Sequence, residues 1–214
     1  MTSEDNKVAI AIMASGNGSN AENLIRFAAD RSRSIGISIG VACVVCDKEN
    51  AGVIERAKRL GVKTHIVSKH KGESKKVHEQ RMIALLRPYR IDWICLAGYM
   101  RILTPHFLKA FHNTEHDVSG VINIHPSLLP KFPGLNAYEQ AFSAGEREGG
   151  ATVHFVDAGI DTGEHILQMS FTAEPDYTLD TFKKKGLELE HRLYPMALLQ
   201  LIDRFGKNSS SQGK

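Results

Sequence analysis

Three observations predict an α/β fold: a Rossmann-like, doubly wound and mostly parallel sheet of seven strands. Short apolar runs of strand length alternate with helical patterns along the chain. The first such run passes directly into a glycine loop and then a helix. With 214 residues, 42% of them hydrophobic, the chain can bury one sizeable core without disulfides or metals. A single domain over 1–206 is expected, in two halves at about 7–100 and about 101–206, with a flexible tail at 207–214.

Lys7 to Met13 is the first strand, followed by Ala14-Ser15-Gly16-Asn17-Gly18-Ser19-Asn20 and then Leu24, Ile25 and Phe27 at helical spacing. Glycine lets backbone approach a ligand closely. Ser19 or Asn20 can cap the helix, whose first amides carry partial positive charge, so Asn17 to Asn20 suit a phosphate. The same loop also fits a plain tight turn, or a dinucleotide site with Asp47 meeting a ribose; the missing third glycine of G-x-G-x-x-G weakens the latter.

Ile37 to Cys46 reads as the second strand, Ala51 to Leu60 as a helix ended by Gly61, and Lys63 to Val67 as the third strand. Lys69 to Lys76 is polar and basic, which on pattern alone is a solvated face, and the helical stretch after it is closed by Pro88 near Arg87. Ile91 to Ala97 is the fourth strand. It opens into Gly98-Tyr99-Met100-Arg101-Ile102-Leu103 and a helix with Pro105 in its first turn. At the carboxyl end of a parallel strand, Met100, Ile102 and Leu103 either wall an apolar slot or are core.

Val121 to His125 is the fifth strand, and its alternation puts Asn123 and His125 on one face, carboxamide and imidazole facing one space. Pro126, Pro130 and Pro133 then fix the backbone of the next loop. Taken alone, His125 also fits a core histidine bonded to a nearby carbonyl. Ala137 to Ala144 is helical, Gly145 to Gly150 a charged turn, and Ala151 to Val156 a sixth strand containing His154. A seventh follows at His165 to Phe171. Between them, Asp157 and Asp161 in a glycine-bounded loop are either turn formers or a carboxylate that orients and charges an imidazole. Thr178 to Phe205 is helical, with a kink or restart expected at Pro195.

The net charge of +3 points weakly to small anionic ligands and requires no nucleic acid. No apolar run is long enough to span a membrane, and Met1 to Asn6 is polar and acidic, so a cytoplasmic protein without membrane partners is expected. Cys43, Cys46 and Cys95 sit in apolar strands. Three residues apart along a strand, Cys43 and Cys46 face opposite ways, which argues against a metal or redox pair.

Four segments along nearly the whole chain carry a resemblance: Gly16 to Asn20 (GNGSN), Gly98 to Leu103 (GYMRIL), Asn123 to Gly134 (NIHPSLLPKFPG) and Val153 to Gly163 (VHFVDAGIDTG). With these the chain resembles the folate-dependent glycinamide ribonucleotide formyltransferase family. The resemblance implies the formyltransferase fold and a catalytic triad of Asn123, His125 and Asp161. It implies that Asn17, Gly18, Ser19 and Asn20 cradle the ribotide phosphate, with Glu190 nearby. Met100, Arg101, Ile102 and Leu103, with Asp157, Ala158, Gly159 and Ile160, would hold the pterin of the cosubstrate 10-formyltetrahydrofolate, largely by backbone contacts. No metal is implied.

The family's loop also suggests a cis bond at Leu129-Pro130. Two positions depart from the family: Leu187 stands where relatives often have Lys or Gln, and Lys75 or Lys76 replaces an Arg that meets the folate tail. Lys183 to Lys185 could supply the charge missing at Leu187. Small-molecule substrates and a monomer or homodimer follow as expectations. Methionyl-tRNA formyltransferase and formyltetrahydrofolate deformylase share the N-x-H and the later Asp, but each normally carries a further domain that this length does not accommodate. A non-catalytic dinucleotide sensor would have no use for the triad.

Overall fold

The computed structural model describes residues 7–31 and 37–205. The expected tail at 207–214 and the acidic start, Met1 to Asn6, lie outside the described residues. In chain order the elements are β1 (Lys7–Ala14), α1 (Ser19–Arg31), β2 (Ser38–Cys46), α2 (Gly52–Arg59), β3 (Thr64–Ile66), α3 (Lys75–Leu86) and a 3₁₀ turn at Arg87–Tyr89. They continue with β4 (Trp93–Leu96), α4 (Pro105–Ala110), β5 (His112–Asn113), β6 (Val118–Ser119), β7 (Val121–His125), α5 (Ala137–Ser143), β8 (Glu148–Phe155), β9 (His165–Thr172) and α6 (Leu179–Phe205).

Seven strands form one sheet in the order β3-β2-β1-β4-β7-β8-β9. The pairs from β3 to β7 are parallel, while β7-β8 and β8-β9 are antiparallel. Strand order reverses between β1 and β4, and the loops leaving these two strands part there to open a crevice. The gap is pinned at its base: Ser15 N donates to the Gly98 carbonyl at 3.0 Å, and Met100 N donates to Ser15 Oγ at 2.9 Å.

Helices cover both faces. One core layer holds Ile10, Cys46, Ile122 and the buried stripe of α6; the other holds Met13, Cys43, Val121 and the buried side of α3. Cys43 and Cys46 therefore lie on opposite faces, as their spacing requires. All three thiols are buried and unbridged, and burial pushes the pKa of Cys43 up to about 11 and that of Cys95 to about 12. They are packing groups, not nucleophiles.

Three local departures have physical causes. The expected turn at Gly145 to Gly150 is shorter, because β8 begins at Glu148. Gly149 and Gly150 are strand residues kept small by their neighbours: a Cβ on Gly149 would lie 2.4 Å from the Phe171 ring, and one on Gly150 2.4 Å from Leu128. The two-residue strands β5 and β6 pair antiparallel and are too short to show a period in the sequence.

Helix α6 runs through Pro195 without ending. Proline removes the N–H that would bond the carbonyl four residues back, that of His191. Asn23 Nδ2 on α1 supplies the missing donor, bonding His191 O at 2.6 Å. Asn23→Ala is expected to destabilise the fold by about 1–2 kcal/mol, since it leaves that carbonyl without its partner. Urea unfolding measures this, and an unchanged midpoint would show that water replaces the side chain.

Candidate active site

Strand β7 delivers two side chains to the crevice. Asn123 and His125 both line a cavity of about 680 Å³ at the carboxyl ends of β4 and β7. His125 is 3% exposed. Its Nε2 lies 2.8 Å from the Phe132 carbonyl and its Nδ1 3.2 Å from Asp161 Oδ2. Both partners are acceptors, so a proton on either ring nitrogen meets an oxygen already in place. The proline loop brings Phe132 to the ring: Leu129-Pro130 is cis, and Phe132 and Gly134 both have positive φ. The loop is tied to β8 by Leu129 N donating to Thr152 Oγ1 at 3.2 Å, while Thr152 Oγ1 donates to Ser127 O at 2.7 Å.

Asp161 reaches the same point from the β8-β9 loop, in the left-handed region at φ +55, which aspartate tolerates better than most residues. Gly134 N donates to its Oδ2 at 2.8 Å. Asp157, the other carboxylate of the loop, takes the turn role: it accepts from Gly159 N at 3.0 Å and from Thr162 Oγ1 at 2.8 Å. The two readings of this loop thus divide between its two aspartates.

A further histidine belongs to the cluster. His154 on β8 is the cross-strand neighbour of Asn123 and is buried. Its Nδ1 donates to the Phe155 carbonyl at 2.8 Å, leaving Nε2 to face Asn123 Nδ2 at 3.4 Å and Asp161 Oδ1 at 3.6 Å. With Nδ1 protonated, Nε2 accepts from the Asn123 amide and fixes which way that amide points. Alternation within the sixth strand placed His154 on one face. Its register against Asn123 is a tertiary fact and has no sequence signal.

Burial pushes the Asp161 pKa up, but the facing His154 ring, the bond from the Gly134 amide and the charge of His125 outweigh it, and the carboxylate is held below its ordinary 3.8. Asp161 raises the His125 pKa, as expected of a neighbouring carboxylate, but the net direction is down: burial lowers it below 6.5, and the Phe132 carbonyl and Asp161 recover only part of that loss.

Both shifts disfavour the folded chain in acid. Below 6.5 the unfolded chain takes up the His125 proton before the folded one does, and His65 and His191, also lowered by burial, act the same way. The Asp161 contribution is present above 3.8 and is lost as pH falls through the folded value. Glu190, raised by burial, acts the opposite way above 4.5, so the comparison is made in Glu190→Gln: there the urea midpoint is expected to be lower near pH 5.5 than near pH 7.5, and an equal or higher midpoint at pH 5.5 contradicts these directions.

At one end of the cavity stand Asn20 and Glu190. Asn20 was a candidate cap for α1, but its Nδ2 instead donates to Glu190 Oε2 at 2.6 Å, and its buried Oδ1 has no partner. Helix α1 begins at Ser19, and Gly18 enters it at φ +79 with Val53 packed against its Cα. Burial raises the Glu190 pKa against the bonds from Tyr138 and Asn20. Asn17 faces elsewhere: its Oδ1 accepts from Arg56 at 3.1 Å, and it borders a separate open hollow with Ser15, Gly16 and Lys48.

At the other end Met100, Arg101, Ile102, Leu103, Asp157, Gly159 and Ile160 line the cavity. Ala158 is exposed beside them. Met100, Ile102, Leu135 and Ile160 are each more than half exposed, an apolar rim suited to a flat heteroaromatic ring. The Arg101 side chain is tied back, its Nε bonding the buried Asp47 at 2.6 Å, which leaves the backbone of this segment for a ligand. Asp47, the candidate ribose acid, is thus taken up by Arg101.

An adjoining cavity of about 250 Å³ shares Tyr99 to Leu103 and adds Lys69, Lys75, His78 and Glu79. Lys75 opens α3 after the Ser74 cap, so part of the basic stretch lines a pocket and is not simply a solvated face. Of the lysines that could have offset Leu187, Lys183 pairs with Glu139 at 2.6 Å and Lys185 stands 3.8 Å from Glu188. Among the described residues, no group of three His, Cys, Asp or Glu is placed to hold a metal ion, and no helix is long and apolar enough to cross a membrane.

The family model described as formyl transferase matches residues 8–198. The phosphoribosylglycinamide formyltransferase of Bacillus subtilis (strain 168) is 40% identical over 192 residues, which is 90% of this chain and 93% of that protein. The trifunctional purine biosynthetic protein adenosine-3 of Drosophila melanogaster is 38% identical over 194 residues, 91% of this chain but 14% of that longer protein. The crystal structure of phosphoribosylglycinamide formyltransferase from Streptococcus pneumoniae TIGR4 superposes with a TM-score of 0.80 at 38% identity, covering 91% of this chain and 99% of that one. With the match running from Val8 to Leu198, through both β7 and the Asp161 loop, the chain belongs to the formyl transferase family.

Proposed function

We propose that this chain transfers the formyl group of 10-formyltetrahydrofolate to the amine of N1-(5-phosphoribosyl)glycinamide, a step of purine biosynthesis. One observation carries the reading: a single cavity joins Asn123, His125 and Asp161 to a carboxylate-and-amide pair at one end and an apolar rim at the other. Two substrates can therefore meet over one polar cluster, which removes their encounter entropy from the chemical step.

The neutral amine attacks the formyl carbon, a C–N bond forms, and the carbonyl electron pair moves to oxygen. Asn123, its amide oriented by His154, donates to that oxyanion. His125 adds a second donor by exchanging the Phe132 carbonyl for the new anion. Each positioned donor is worth roughly 2.7–4 kcal/mol at comparable oxyanion sites. Asp161 accepts the amine proton, directly or through a water; such a transfer contributes about 100-fold to 10,000-fold. Collapse breaks the bond from carbon to N10, which leaves with the electron pair and takes a proton.

Asn17 to Asn20 and Glu190 serve the ribotide, with Asn20 and Glu190 reaching the cavity itself. Met100 to Leu103 and Asp157 to Ile160 hold the pterin, and Lys75 with Lys69 meets the carboxylates of the folate tail as point charges. Action in the cytoplasm on small molecules, as a monomer or homodimer without nucleic acid, completes the proposal. An absorbance assay for loss of 10-formyltetrahydrofolate, run with and without the ribotide, tests it. Ribotide-dependent loss is expected, whereas equal loss without the ribotide would identify a deformylase.

A further inference from the structure

Behind the ribotide end of the cavity stands Tyr138, on α5 and buried. Its hydroxyl donates to Glu190 Oε1 at 2.8 Å, while Asn20 Nδ2 donates to Oε2 at 2.6 Å. The two oxygens of one carboxylate on α6 are thus held by donors from two other helices, α5 and α1. Burial and the nearby Glu190 carboxylate keep the phenol protonated, so its proton is always available to Glu190.

The ring reaches that position only because α6 has no side chain one turn before Glu190. A Cβ on Gly186 would lie 2.2 Å from Tyr138 Cζ and 2.4 Å from its hydroxyl oxygen. Glycine is disfavoured inside a helix, so its presence here has a packing cause. One turn further back, Phe182 meets the Tyr138 ring edge-on, centroids 6.0 Å apart and planes at 80°. Tyr138 and Phe182 line a small cavity together with Pro126, Ser127 and Phe132 of the proline loop.

The geometry points to Tyr138 as a positioning residue for the ribotide, acting through Glu190, with Gly186 as the vacancy that admits its ring. With both oxygens held, the carboxylate presents a fixed acceptor. The same contact holds the Asn20 amide, whose buried Oδ1 is left open beside it. Tyr138 touches no substrate. This rests on the reading that Glu190 and Asn20 meet the ribotide.

Tyr138→Phe keeps the ring and removes one O–H, leaving Glu190 Oε1 buried without its donor. Steady-state kinetics in both substrates are expected to show ribotide KM raised about tenfold, kcat within about threefold and folate KM unchanged, with the melting temperature held within a few degrees. Gly186→Ala, which pushes the ring aside, should give the same KM rise, and the double variant no more than the larger single effect. An unchanged ribotide KM in Tyr138→Phe overturns the inference, whether or not stability falls, as does a fall in kcat alone. A wild-type enzyme that does not consume the ribotide at all instead sinks the substrate assignment beneath it.

Discussion

Asp161→Asn is expected to lower kcat at least about 100-fold while ribotide KM stays near that of the wild type. The substitution is close to isosteric, asparagine tolerates the left-handed backbone at φ +55, and an amide oxygen can still accept from Gly134 N. What disappears is the one negative charge facing two imidazoles, His125 at 3.2 Å and His154 at 3.6 Å. A neutral amide can neither take the amine proton nor balance an imidazolium. Rapid-mixing or steady-state rates measure this directly, and near wild-type turnover would remove Asp161 from proton transfer.

His125→Ala should cost a similar factor, at least about 100-fold in kcat. The buried ring bridges the Phe132 carbonyl and Asp161, so its removal deletes a donor and one of the ties between the proline loop and the carboxylate, while Gly134 N still bonds Asp161. Ribotide affinity, which the proposal assigns to Asn20 and Glu190 at the far end of the cavity, should survive and can be measured by calorimetric titration. Because His125 Nδ1 and Asp161 Oδ2 are in contact at 3.2 Å, His125→Ala with Asp161→Asn is expected to lose less than the product of the two single losses. Fully multiplicative losses would mean that they act in separate steps.

Much of this site could be read in the sequence because its signals are local. Strand alternation placed Asn123 and His125 together and sent Cys43 and Cys46 apart. The strand, glycine loop and helix at the start of the chain fixed where β1 would deliver its loop. The parts that could not be read depend on register or on a distant partner. His154 joins the cluster only because β8 pairs antiparallel with β7 at Asn123. Asn20 resembles a cap until Glu190, 170 residues away, takes its amide.

Pro195 reads as a kink or restart because its missing donor is visible in the sequence and Asn23, which offsets it, is not recognisable as its partner. Gly149 and Gly150 read as a turn for the same reason: the Phe171 ring and Leu128 that require them small come from elsewhere in the chain. The direction of the His125 pKa is a matter of degree. A neighbouring carboxylate can be guessed from the motif, but how far burial outweighs it depends on the packed structure.

The most direct test follows the formyl carbon itself. With 10-formyltetrahydrofolate carrying carbon-13 in the formyl group and the ribotide present in excess, the labelled carbon should appear as an amide on the glycinamide nitrogen, with free tetrahydrofolate in equal amount. Label appearing instead as formate, or remaining on the folate while the ribotide is unchanged, contradicts formyl transfer in the cavity of Asn123, His125 and Asp161.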